Sequence, residues 1–198
     1  MGLSIYYNGS FNPKASLSAM TEEVKDIAEI YKWDYHIFEK EFPKNSLGKR
    51  AFNKEVYGIL FSPPRCEAVI LCFLSNGKMC CPSMFEHWLK SKKQKPEKYI
   101  FGNFTKTQHA GVQVHKIIID LFRYLSKKHF KNFSMIDEGN YWKSNDEILL
   151  RNTFKEWGAL IEEFAETLGK IEKKKGETTE GLIIRAAKKV HARRRHKR

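Results

Sequence analysis

Hydrophobic and polar residues along the first part of the chain predict a strand, a helix and a second strand. The apolar run Leu3 to Tyr7 ends at Asn8-Gly9, a turn-forming pair, and predicts a strand. Between Ser16 and Trp33, apolar residues recur at three- and four-residue steps, which indicates an amphipathic helix. Tyr35 to Phe42 is rich in aromatic and β-branched residues and predicts a strand. The opening is therefore βαβ-like.

The middle of the chain predicts a run of neighbouring strands. Two apolar segments, Val56 to Phe61 and Ala68 to Leu74, read as strands. The Asn-Gly pair in Ser75 to Lys78 favours a tight hairpin to a further short strand at Met79 to Cys81. A short helix is expected over Pro82 to Lys90, since proline suits the first turn of a helix.

The second half of the chain predicts another βαβ-like unit. Tyr99 to Phe104 and Phe133 to Asp137 read as strands, and the helical pattern of Val112 to His129 lies between them. A helix that joins two strands of one sheet usually makes those strands parallel. After this unit, Ser144 and Glu147 have the spacing of a capping box, and the apolar positions that follow predict a long helix.

Together these elements predict an α/β fold, with α+β as the alternative. We expect a mixed sheet with a β-hairpin meander, two βαβ-like units and a long C-terminal helix, followed by a basic tail. A chain of 198 residues with 41% hydrophobic side chains suits one core. Residues 1–169 are predicted to form a single domain, and residues 170–198 a weakly ordered tail.

Targeting signals and cysteines indicate a soluble cytoplasmic protein. No apolar stretch approaches the roughly 20 residues of a membrane-spanning helix, and the first residues lack the features of a secretory signal. The four cysteines, at positions 66, 72, 80 and 81, contain no C-x2-C pair, which favours reduced thiols over a zinc site. Cys66 follows Arg65, a cation that would activate a thiol, but no histidine partner is evident and an incidental cysteine is favoured.

Positive charge is concentrated at the C-terminal end of the chain. The net charge is +13, and the last 29 residues hold 12 basic and 3 acidic side chains, a net of +9. The preceding 169 residues therefore carry only +4. Clustered lysine and arginine bind phosphates and release counterions, so nucleic acid is the expected partner. The proposed contacts are Lys188, Lys189, Arg193, Arg194, Arg195, Lys197 and Arg198. A solvated tail, or one that binds anionic lipid or an acidic protein, is the alternative.

A second candidate site lies where two predicted strands end. The loop from Thr105 to Gly111 follows one strand, and Asp137-Glu138 ends the other. Parallel strands would bring Lys106, His109, Asp137 and Glu138 to one sheet edge, where ligands of α/β proteins commonly bind. Paired carboxylates beside a histidine would hold a divalent cation or act as acid and base. The loop lacks the glycine spacing of a phosphate-binding motif.

Three functions remain open from the sequence. The leading hypothesis is a binding protein that contacts nucleic acid through its basic tail. The alternatives are a hydrolase or nuclease with its site at the sheet edge, and a protein-interaction or immunity-type module. Convergence of the four sheet-edge side chains would favour an enzyme, and their dispersal would favour a binding module.

Overall fold

The computed structural model describes residues 2–91 and 97–195, which form an α/β fold, as predicted. Its strands are β1 (Ser4–Phe11), β2 (Asp34–Ile37), β3 (Val56–Ser62), β4 (Val69–Leu74), β5 (Asn103–Lys106) and β6 (Phe130–Asp137). Its helices are α1 (Leu17–Ile30), α2 (Pro82–Lys90), α3 (Val112–Lys128), α4 (Tyr141–Ser144), α5 (Glu147–Gly169) and α6 (Thr179–Arg195). A 3₁₀ turn, Glu97–Phe101, precedes β5.

Within this part of the chain the strands form two three-stranded antiparallel sheets. The first sheet has the order β5-β1-β6 and the second the order β2-β3-β4. Because β5 and β6 are both antiparallel to β1, they run in the same direction on either side of it. The parallel direction predicted for these two strands is therefore present, although they are not direct neighbours. The strands of the first predicted βαβ unit, β1 and β2, lie in different sheets.

Helices α1 and α3 cover the inner faces of the sheets and close the main core. Ser16 caps α1 by accepting a hydrogen bond from the Ala19 N–H, at 3.1 Å. Aromatic side chains join the two sheets: the ring centroids of Phe11 and Phe73 are 5.2 Å apart, in an edge-to-face arrangement. This packing buries most of the apolar stripes that predicted the elements.

The hairpin predicted after Leu74 is present as a three-residue loop. The Gly77 N–H donates to the Leu74 carbonyl at 2.8 Å, and the Leu74 N–H donates to the Lys78 carbonyl at 3.0 Å. Gly77 has a φ of 83°, a conformation that glycine adopts without strain. The returning segment makes an isolated bridge between Met79 and Phe73, where a short strand was predicted.

The long helix α5 begins two residues later than the predicted capping box requires. Asp146 is its N-cap, and one carboxylate oxygen accepts from the N–H groups of Ile148 and Leu149. Ser144 instead ends α4, and its hydroxyl accepts from the Asp146 N–H. Asn145, with a φ of 53°, separates the two helices and moves the cap forward.

Helix α6 occupies most of the segment that the sequence predicted as a weakly ordered tail. It packs chiefly along α5, and we call this pair of helices the C-terminal hairpin. Ala186 and Val190 lie one turn apart on the packed side of α6 and are buried. These apolar positions give the basic segment a face to bury, which the charge count alone did not indicate. No helix in the described ranges is long and apolar enough to cross a membrane.

Candidate functional site

The fold brings the ends of β5 and β6 to the same edge of the first sheet. In the register of the sheet, Lys106 lies opposite Ser4 and Asp137 lies opposite Ile5. Both strands therefore end at one sheet edge, as the sequence predicted, and that edge contains the start of β1. Placement of the backbone at one edge is not sufficient for a shared pocket, because side-chain direction alternates along a strand.

The two adjacent carboxylates of this edge point to opposite faces of the sheet. The Asp137 side chain is only 1% exposed and faces the core. Glu138 is exposed and accepts a hydrogen bond from the Ser4 N–H at 2.8 Å. The two groups therefore do not form a paired carboxylate site for a cation or for acid–base chemistry.

Neither of the two basic residues predicted for this site forms a salt bridge with these carboxylates in the described part of the chain. The Lys106 backbone is tied to Glu67, whose carboxylate accepts from the Lys106 N–H at 3.0 Å. His109 is exposed in the turn before α3. Among the residues that the structure describes, no hydrogen bond or salt bridge joins any two of Lys106, His109, Asp137 and Glu138. The four side chains are dispersed.

His115 is the polar residue that this edge does bring into contact with Asp137. Its Nδ1 is 2.7 Å from the Thr107 hydroxyl oxygen, and its Nε2 is 3.0 Å from Asp137 Oδ1. All three side chains are buried. His115 lies three residues after Val112 on the apolar face of α3, so its position in the hydrophobic pattern was the sequence signal for burial.

Asp137 is held in its charged form by donors that surround it. Burial raises the pKa of this carboxyl, but His115 and the N–H groups of Trp142 and Gly139 outweigh it and the pKa is lowered. These backbone N–H groups donate at 2.8 and 2.7 Å. The carboxylate thereby fixes the turn that follows β6.

The Thr-His-Asp cluster has no room for a substrate. Gly139 packs directly over the imidazole, so that a Cβ at this position would lie 2.8 Å from His115 Nε2. A nucleophilic hydroxyl in a catalytic relay must reach its substrate, and Thr107 is fully buried. The cluster therefore acts as a structural link between the loop before α3, α3 itself and the end of β6.

Elsewhere in the described chain, the side chains do not form a metal centre. Residues 2–91 and 97–195 contain no group of three or more histidine, cysteine, aspartate or glutamate side chains arranged to hold a metal ion. A groove of about 550 Å³ lies between the second sheet and α2. Leu60, Ile70 and Phe85 contribute apolar surface to it, and its lining has no histidine or cysteine.

The Cys66 thiol also lacks the surroundings of a reactive cysteine. Burial raises the pKa of the Cys66 thiol to about 12, and the Glu67 carboxylate adds to this effect. Its sulfur lies 3.5 Å from the Lys106 carbonyl oxygen, to which the thiol donates. Cys66 is therefore kept protonated despite its neighbour Arg65, which makes it a poor nucleophile.

Helix α6 is the basic part of the C-terminal hairpin, with six lysine and arginine side chains and one glutamate. Arg185 of α6 pairs with Glu177 in the preceding connection at 2.7 Å, and Arg194 of α6 pairs with Glu163 of α5 at 2.9 Å. The Arg185 side chain holds the pKa of the Glu177 carboxyl down to about 2. Arg193 donates to the Thr167 hydroxyl at 3.3 Å. These contacts fasten one side of the helix to its surroundings.

The other predicted contact residues of α6 face solvent. Lys188, Lys189 and Arg195 are exposed, and none forms a salt bridge with another described residue. Lys197 and Arg198 lie outside the described residues. The connection between α5 and α6 adds three exposed lysines, Lys173 to Lys175.

Comparison with known proteins gives no match. No protein-family model, no curated protein and no solved structure shows significant similarity to this chain. The inference of function therefore depends on the surfaces described above.

Proposed function

We propose that this protein binds nucleic acid through the exposed basic side of its C-terminal hairpin. The observation that carries the proposal is the division of charge on α6. Carboxylates of the same hairpin neutralise Arg185 and Arg194, whereas Lys188, Lys189 and Arg195 face solvent without a carboxylate partner in the described chain. Exposed lysine and arginine side chains without a carboxylate partner are free to bind the phosphates of a polyanion.

The helix gives these cations a defined arrangement. Lys188 and Arg195 are seven residues apart, so they lie on the same side of α6, about 10 Å apart along its axis. Buried Ala186 and Val190 hold the opposite side against α5. The basic groups are therefore presented by packed secondary structure, which lowers the entropy lost when they bind phosphates.

The sheet-edge residues favour a binding role over an enzymatic one. A hydrolase or nuclease at this edge requires Lys106, His109, Asp137 and Glu138 to converge, and they are dispersed. The buried Thr107-His115-Asp137 cluster provides no substitute, because Gly139 fills the space over His115. Charge on the hairpin is the stronger functional feature.

A salt titration tests the proposal. Fluorescence anisotropy of labelled duplex and single-stranded oligonucleotides should report binding at low salt by the full chain. The logarithm of the affinity for duplex should fall linearly with the logarithm of salt concentration, with a slope of about −0.9 for each phosphate contacted. Little preference for duplex sequence is expected, because phosphate contacts carry no base information. Absence of binding at low salt would refute the proposal.

A further inference from the structure

The outer face of the first sheet carries a row of three exposed apolar side chains, one from each strand. Tyr6 on β1 lies opposite Phe104 on β5 and opposite Ile136 on β6. These side chains are 44%, 52% and 69% exposed, respectively. We call this row the stacking face. The opposite face of the same strands is covered by α3, where Tyr7 packs against Phe122 with ring centroids 4.5 Å apart.

The two aromatic rings of the stacking face are placed side by side. The ring centroids of Tyr6 and Phe104 are 6.1 Å apart, and the ring planes differ by 34°. Successive stacked bases of one strand are only about 3.4 Å apart. The spacing of the two rings is therefore larger than the spacing of neighbouring bases in a continuous stack. Each ring instead offers a flat surface to one unstacked base.

Polar groups border the stacking face. In the next row of the sheet, Asn8 lies opposite Ser134, and the serine hydroxyl donates to the asparagine Oδ1 at 3.0 Å. This arrangement leaves the exposed Asn8 amide able to donate to a base or sugar. Two adjoining depressions of about 200 and 330 Å³ share Asn8. The surface of the strands is therefore indented on both sides of Asn8.

One lysine lies near the stacking face on β5, and a second lines the larger depression. Lys106 follows Phe104 by two residues and so lies on the same face of β5. Lys78 lines the larger depression, and its ammonium group lies 5.1 Å from the centre of the Phe101 ring. The carboxylate of Glu138 accepts from the Ser4 N–H and keeps its negative charge. Lys78 and Lys106 are therefore the groups near this face that suit phosphates.

We infer that the stacking face binds the unpaired bases of a single-stranded nucleic acid, with Tyr6 and Phe104 each stacking on one base. Lys78 and Lys106 contact the flanking phosphates, and Asn8 and Ser134 contact base edges or sugars. This inference rests on the proposed nucleic-acid binding and adds the form of the ligand. Exposed aromatic rings within a basic, polar surface are the usual means of holding single strands without a strict sequence preference.

A protein partner fits this surface less well. A standard protein interface buries about 800 Å² on each partner and has a continuous apolar centre. The stacking face has one row of three apolar side chains, and hydroxyl, amide and ammonium groups border it. Bases satisfy both features, because they have an apolar face and hydrogen-bonding edges.

Substitution of the two rings tests the inference in the full chain. Tyr6→Ala and Phe104→Ala should each weaken binding of labelled oligo(dT) and oligo(U) at least about fivefold, the effect of removing one stacked base. Duplex affinity and its salt dependence should stay the same. Tyr31→Ala is the matched control, since Tyr31 is 48% exposed on a different surface. Tyr6→Leu and Phe104→Leu serve as second variants in case an alanine variant is unstable. They keep apolar surface without an aromatic face, so they should show the same loss of single-strand affinity.

The possible results separate this inference from the proposed function. Unchanged single-strand affinity in all four ring variants, with charge-dependent duplex binding retained, would overturn the stacking face alone. Loss of single-strand affinity in the ring variants, with no effect of charge reversal on α6, would support the stacking face and overturn the hairpin proposal. Failure of the full chain to bind any strand would overturn both. A dimer that Phe104→Ala converts to a monomer would show an interface between copies and contradict the inference.

Discussion

The Nε2 atom of His115 lies 3.0 Å from Oδ1 of Asp137, and neither side chain is accessible to solvent. This contact joins α3 to the end of β6, and the 2.7 Å contact of His115 with Thr107 extends it to the loop before α3. The loop before α3, α3 itself and the end of β6 therefore meet at one buried polar cluster. Removal of any member should lower stability, because the remaining polar groups would be buried without partners.

Asp137→Asn should lower the free energy of unfolding by about 1.5–3 kcal/mol, the range for a hydrogen bond to a charged group. An amide cannot accept from both the Gly139 and Trp142 N–H groups as the two carboxylate oxygens do. Urea denaturation followed by circular dichroism measures the change. Glu138→Gln is the control, because it neutralises the adjacent, exposed carboxylate and should cost much less. Equal losses in the two variants would contradict the structural role of Asp137.

The same carboxylate predicts a dependence of stability on acid. The folded-state pKa of Asp137 is lowered from its ordinary value of 3.8, so its contribution to stability is complete above that value. The contribution should be lost as pH falls through the lower folded-state pKa. The stability difference between the parent protein and Asp137→Asn should therefore narrow below about pH 4. Denaturation curves of both proteins at several acidic pH values measure this difference. A stability difference that stays constant as pH falls would contradict the prediction.

Replacement of glycine by alanine should change stability in opposite directions at positions 139 and 158. Gly139→Ala should destabilise the protein by about 1–3 kcal/mol, since the added methyl would lie 2.7 Å from Leu150 and 2.8 Å from His115. Gly158→Ala, in the middle of α5 with no neighbouring atom within 4 Å, should stabilise it by about 0.5–1 kcal/mol. Thermal melting of both variants measures these changes in stability. A stabilising Gly139→Ala would contradict the close packing over His115.

The packing of α6 on α5 predicts that the buried Val190 side chain is needed to hold the two helices together. Val190→Asn should detach the helix, because it replaces a valine that is 3% exposed with an amide that has no partner there. Loss of helical circular dichroism and faster proteolysis within residues 170–195 should follow. Ala192→Asn, on the exposed side of α6, is the control. Identical proteolysis of the two variants and the parent would show that α6 is not held by this face.

Local signals in the sequence were sufficient for most elements of the fold. The Pro82–Lys90 helix has its predicted bounds, and the Asn76-Gly77 turn is in place, because both depend on the conformations of proline and glycine. Their assembly into two antiparallel sheets depends on pairing between distant segments, such as Tyr35 with Phe61. Nothing within a single segment specifies its partner in this way.

The candidate sites, like the fold, were predicted from the sequence only where local patterns determine them. The sequence correctly placed Lys106 and Asp137 at one sheet edge, but adjacent positions on a strand point to opposite faces, which separates Asp137 from Glu138. The stacking face was missed because Tyr6 and Phe104 come from strands whose pairing was unknown. Alternation alone does not say which face of a strand an α-helix will cover.

Reversal of charge on α6 is the most direct test of nucleic-acid binding by the C-terminal hairpin. The triple variant Lys188→Glu, Lys189→Glu and Arg195→Glu should lose duplex affinity, and its salt slope should become shallower by about 0.9 for each phosphate contact removed. The matched variant Lys44→Glu, Lys49→Glu and Arg50→Glu makes the same change in net charge in an exposed loop far from α6 in the sequence. It should keep the slope of the parent protein. Equal affinities and slopes for the two triple variants would contradict the assignment of binding to the hairpin.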